Sequence, residues 1–119
     1  MKSLHRGKAI EAYLGAKVVM KKGYVYPAYV LLKESLRATL AYIQEDLADK
    51  EYSEKTKLRT LLETTPVILT PDVTLEVFNI MLELEDIGLD AIMSVDIEEL
   101  EKVRKALKQI IGIYLGERL

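Results

Sequence analysis

Two pairs of carboxylates stand at a spacing that can hold a cation: Glu83 with Asp86, and Glu98 with Glu101. Side chains three apart share one face of a helix, so each pair would offer oxygens to a single Mg²⁺. Two such helices side by side would build a centre for metal-assisted hydrolysis of a nucleotide. Placement weighs against that chemistry, because Glu98 falls in the first turn of its helix while Glu83 and Asp86 fall on an acidic outer ridge. A solvated face explains the four residues more simply. His5 is the one histidine and cysteine is absent, which leaves no thiolate zinc site, no disulfide and no cysteine nucleophile. Close to the start of the chain, His5 reads as a solvated side chain. There is no glycine-rich phosphate loop and no serine in a strained turn of the kind that presents a nucleophile. The expectation is a protein that is not an enzyme, with no catalytic residue, no metal and no cofactor.

What remains is a surface for binding. The seven tyrosines could stack on bases. Most of them fall at core spacing, so their rings are expected to pack with the hydroxyls at the rim. Tyr24 and Tyr26 are the exceptions. They follow Lys17, Lys21 and Lys22 into a turn, and these five residues form the candidate partner-contact site. Charge supports the same region. Residues 1 to 37 carry eight cations against two anions, +6, so the remainder of a chain with net charge −2 carries −8. Such polarity suits a nucleic acid or an acidic partner, and it equally suits basic and acidic helices facing each other within one bundle or between subunits, the reading favoured here.

The elements that must position these residues are helices. From Tyr24 to Leu47, with Pro27 at the first helical position, Tyr29, Leu32, Leu36, Leu40, Ile43 and Leu47 repeat at three and four and must be buried. Ala28, Leu31, Ser35, Ala38 and Tyr42 make a second stripe, so the helix needs two neighbours. Lys33, Glu34, Arg37, Gln44 and Glu45 take the wet side. Before it, a helix from Ser3, a possible N-cap, to Lys22 places Leu4, Ile10, Tyr13, Leu14 and Val18 inward with alanines 9, 12 and 16 beside them. Lys21, Lys22 and Gly23 then close it and form an antiparallel hairpin.

A third helix follows Ser53 and stops by Thr65, contributing Leu58, Leu61 and Leu62; Pro66 to Leu69 reads as an extended connector. Thr70, Pro71 and Asp72 open a fourth helix with Val77, Ile80, Met81, Leu84 and Ile87 inward, Asp72, Glu76, Asn79, Glu83 and Asp86 outward, and Gly88 at its end. Leu89 to Met93 adds one turn. The last helix starts at Asp96 and Glu99, a capping-box spacing with Val95 and Leu100 as a hydrophobic staple, and reaches about Gly116. The fold expected is all-α, an up-and-down antiparallel bundle of four to five helices in one domain over residues 1 to 119. No apolar run spans a bilayer and no secretory signal is visible, so a cytoplasmic protein with no membrane contact is expected. One Asn, two Gln and abundant Lys and Glu lean toward a thermophilic source.

The first hairpin has a distinct texture: Ala9, Tyr13 and Ala16, then Lys22-Gly23-Tyr24, then Pro27-Ala28 and a long helix ending in Ala38, Leu40 and Ala41. Over residues 8 to 47 this resembles HEPN-type helical bundles. The resemblance implies an antiparallel bundle of four or five helices, usually a homodimer, in a family holding both RNA-cleaving toxins and noncatalytic members. The cleaving members carry an Arg followed four to six residues later by His. Here His5 precedes Arg6, so that chemistry maps onto no position. The resemblance therefore implies a noncatalytic interaction module with a nucleotidyltransferase-like protein or RNA as its partner.

Overall fold

The computed structural model describes residues 2–48, 56–65 and 75–119. Within them run α1 (Lys2–Lys21), α2 (Val25–Ala48), α3 (Leu58–Thr64), a 3₁₀ turn (Leu75–Phe78), α4 (Asn79–Glu85), α5 (Leu89–Met93) and α6 (Ile97–Leu115). No strand is present among the described residues. The Ser53 cap, the Pro66 to Leu69 connector and the opening of the fourth helix at Thr70 to Asp72 lie outside the described residues.

The α1–α2 hairpin is built as the sequence expects. Gly23 takes φ +77°, and behind it Tyr24 N–H donates to the Val19 carbonyl at 3.1 Å and Gly23 N–H to the Met20 carbonyl at 3.0 Å. These two bonds satisfy carbonyls that the end of α1 would leave open, and they turn the chain through a glycine because a Cβ is disfavoured at that φ. α2 begins at Val25, two residues ahead of Pro27, which still lies in the first turn where no intrahelical N–H is required. Ser3 lies inside α1, one residue past its start, rather than capping it.

Both stripes of α2 are used within the chain. Tyr29, Leu32, Leu36, Leu40 and Ile43 are buried, and so are Ala28, Ser35 and Ala38 on the second stripe. The second stripe meets α1 closely enough for the Ser35 hydroxyl to donate to the Ala9 carbonyl at 2.6 Å. That proximity decides which face of α1 is buried. Ala9, Ala12, Tyr13, Ala16 and Met20 face the core, whereas Leu4, Leu14 and Val18, expected inside, are exposed. Small side chains let two helix backbones approach, so the alanines rather than the larger aliphatics take the seam.

α6 closes the bundle with Leu100, Val103, Leu107 and Ile110, as its spacing predicts, together with Ala106 and Ile111. Asp96 accepts from Glu98 N–H at 3.0 Å and Gly116 ends the helix at φ +72°. Arg6 near the start of α1 reaches the Leu115 carbonyl, and Tyr13 meets Arg104, so α6 runs antiparallel to α1. α3 buries Leu58, Leu61 and Leu62. Gln44, expected on the wet side, is buried because α3 covers it; its amide donates to the Thr64 and Thr65 hydroxyls at 2.9 and 3.0 Å. In the fourth segment Met81 and Leu84 are buried and Val77 and Ile80 pack against the core, as expected, with Phe78 and Leu82 buried beside them. Ile87, expected inside, is exposed because α4 ends at Glu85, two residues before it.

Candidate functional site

α1 and α6 form the walls of a groove of about 530 Å³, lined by Lys17, Met20, Lys21, Ile97, Glu98, Glu101, Arg104 and Lys108. Four cations and two carboxylates thus converge from the two ends of the sequence. The antiparallel pairing brings the last turns of α1 beside the first turns of α6. Met20 supplies an apolar floor, being buried, and Lys21 stands exposed at the mouth.

One side of this groove is held rigid. The Arg104 guanidinium donates to Glu101 through Nε at 2.9 Å and also through Nη2, while Nη1 donates to the Tyr13 hydroxyl at 2.7 Å. The hydrogen bonds from Arg104 hold the Glu101 carboxyl below its usual range, and the same pair raises the arginine further above neutrality. Burial pushes the Tyr13 hydroxyl up, with Arg104 opposing it only in part. Arg104 is therefore a fixed cation. Lys17, Lys21 and Lys108 line the groove beside it, the last two exposed.

Of the five residues expected to contact a partner, Lys17 and Lys21 line the groove, whereas Lys22, Tyr24 and Tyr26 lie in or just after the turn beyond it, with the two rings 55% and 42% exposed. Tyr13 and Tyr29 are buried, as tyrosines at core spacing should be. Arg104 and Lys108 carry half the groove's positive charge, and nothing local in the sequence marks them for it. Their role depends on the direction in which α6 crosses α1, which periodicity does not encode.

The groups with catalytic potential are dispersed. His5 is not solvated: its Nε2 lies 3.0 Å from Glu45 Oε1, without the alignment of a hydrogen bond, and both side chains are mostly covered. The contact sets the start of α1 beside the end of α2. Glu83 and Asp86 sit exposed on the outer ridge of α4 with Glu76 and Asn79, and Glu101 is engaged by Arg104. Among the described residues no three His, Asp or Glu are grouped to hold a metal ion, and no helix is long and apolar enough to cross a membrane.

A second surface lies on the outer side of α1. Leu4, Leu14 and Val18 are 67%, 43% and 55% exposed, and a dip of about 520 Å³ beside Leu4 is lined by Leu4, Gly7, Lys8, Glu11, Ala12 and Leu31. In the sequence these three aliphatics read as part of the core face. No protein-family model, curated protein or solved structure matches the chain.

Proposed function

We propose that this chain is a noncatalytic helical-bundle interaction module of the HEPN-like type, working as a homodimer in the cytoplasm. The observation that carries the reading is the outer face of α1. Three large aliphatic side chains, Leu4, Leu14 and Val18, are exposed on the outer side of a helix whose inner face is packed, and exposed apolar side chains gathered on one helix face are what an association surface offers. Both stripes of α2, which first imply two neighbours, are consumed inside the bundle, so the surface for a second subunit moves to α1. Light scattering across micromolar concentrations tests the reading. A dimer mass is expected, and a strict monomer throughout would end it. The resemblance supplies the class of protein partner, a nucleotidyltransferase-like chain.

A second reading, nucleic-acid binding, is favoured by one specific observation: Lys17 and Lys21 share a groove with Arg104 and Lys108. Phosphates held there would displace condensed counterions, so retention of RNA should fall steeply with salt. Filter binding at low salt is the test. Replacing Lys17, Lys21 and Lys22 together by glutamate should abolish retention; unchanged retention, or none by the unaltered protein, would reject this reading.

A further inference from the structure

We propose that two copies associate through the outer faces of α1, packed antiparallel about a two-fold axis level with residues 8 to 10. The inference rests on the homodimer reading and names its surface. Three features of one helix make that surface complementary to itself. A protruding Leu14 lies two turns from the dip at Gly7, and Leu4 stands exposed beyond that dip. A two-fold axis between them places Leu14 against the partner's Leu4 and Glu11 over the partner's Gly7, with the equivalent contacts formed in reverse, as an isologous interface requires.

Gly7 is what admits the second helix. A Cβ built on it meets nothing within 4 Å, so no packing inside the subunit explains a residue that costs the helix about 1 kcal/mol relative to alanine. The missing side chain instead lets a neighbouring backbone come close. Charge follows the same symmetry. Glu11 lies exposed in the middle of the apolar stripe, and the antiparallel arrangement sets it beside the partner's Lys8. Lys8 already reaches Glu34 at 3.3 Å, so in the dimer it would lie between two carboxylates. An unrelated partner would need to supply its own matching knob, gap and charge; a second copy carries all three.

Sedimentation equilibrium on the full chain tests this, with circular dichroism as the check on folding. Gly7→Leu points into open space within the subunit and should leave the helical signal intact while weakening dimerisation about a hundredfold, and Leu14→Glu should do the same. Lys8→Glu or Glu11→Lys alone should weaken it about tenfold, and the double variant should recover most of that loss, because the charges then exchange places across the axis. A dimer unmoved by Gly7→Leu and Leu14→Glu, or a double variant no tighter than either single one, would overturn this surface while leaving the homodimer standing. A monomer in the unaltered protein would instead remove the homodimer reading itself.

Discussion

At the scale of single residues, one contact that joins the first and last helices is Arg104, held by Glu101 on its own helix, with Tyr13. Replacing Tyr13 by Phe leaves the ring in the core and removes the acceptor for Arg104 Nη1, so a loss of about 1 kcal/mol in urea unfolding is expected. A loss above about 3 kcal/mol would mean that the ring position, not the hydroxyl, had been disturbed. The same residue sets an alkaline limit. Burial raises the hydroxyls of both Tyr13 and Tyr29, so folding favours their neutral forms. Their contribution is complete below the ordinary tyrosine value of about 10 and is lost as pH rises through the raised values. The Tyr13→Phe, Tyr29→Phe double variant should therefore flatten the alkaline decline in stability, read by urea unfolding between about pH 9 and 11. A decline as steep in the double variant as in the unaltered protein would contradict this. Glu101 has the opposite sign. Its lowered carboxyl stabilises the fold above the ordinary glutamate range and ceases to do so as pH falls through the lowered value, by a modest amount because the group is partly exposed.

At the scale of elements, the glycines separate three different constraints. Gly7→Ala faces open space and should gain about 1 kcal/mol from helix propensity. A Cβ at Gly15 would sit 3.3 Å from Leu31 Cδ1, the end of a half-buried side chain, so Gly15→Ala should gain less or break even as Leu31 shifts. Gly23→Ala should lose about 1 kcal/mol, because φ there is +77°. Thermal unfolding in the Leu14→Glu background checks this order without a contribution from self-association, and Gly23→Ala ranking above Gly7→Ala would refute it. The elements also show where the sequence is legible. α6 is readable end to end, since its cap, its apolar repeat and its closing glycine are all local signals. So are the leucines of α3. The inner face of α1 is not, because the eye follows Leu4, Leu14 and Val18, whereas close packing on Ala28, Ser35 and Ala38 rewards Ala9, Ala12 and Ala16. Phe78 escapes notice because a stripe drawn through Val77, Ile80 and Ile87 passes beside it, although it stands three and four residues before the buried Met81 and Leu82. The groove is half legible: Lys17 and Lys21 stand out as charges near a turn, but Arg104 and Lys108 join them only through the crossing of two helices distant in sequence.

For the whole molecule, the polarity of charge along the chain is partly resolved within one bundle, as the favoured sequence reading has it. Arg6 reaches Glu117 at 2.6 Å and Lys33 reaches Glu85 at 3.0 Å, so the basic first third is tied to acids at the end of α4 and just beyond α6. These two links are not equivalent. The Lys33 and Glu85 side chains are 30% and 23% exposed, and the lysine also lies 5.9 Å from the Tyr29 ring, whereas the Arg6 and Glu117 side chains are 37% and 40% exposed. Arg6 keeps a second acceptor, the Leu115 carbonyl at 3.1 Å, when Glu117 is neutralised. Glu85→Gln should therefore cost about 1 kcal/mol in dilute salt and Glu117→Gln no more than about half that. Screening acts first on the more exposed pair, so raising KCl to about 1 M should erase the small Glu117→Gln deficit and leave part of the Glu85→Gln one. Urea unfolding of both variants at the two salt concentrations decides the matter. Equal costs that vanish together would show both links to be solvated contacts.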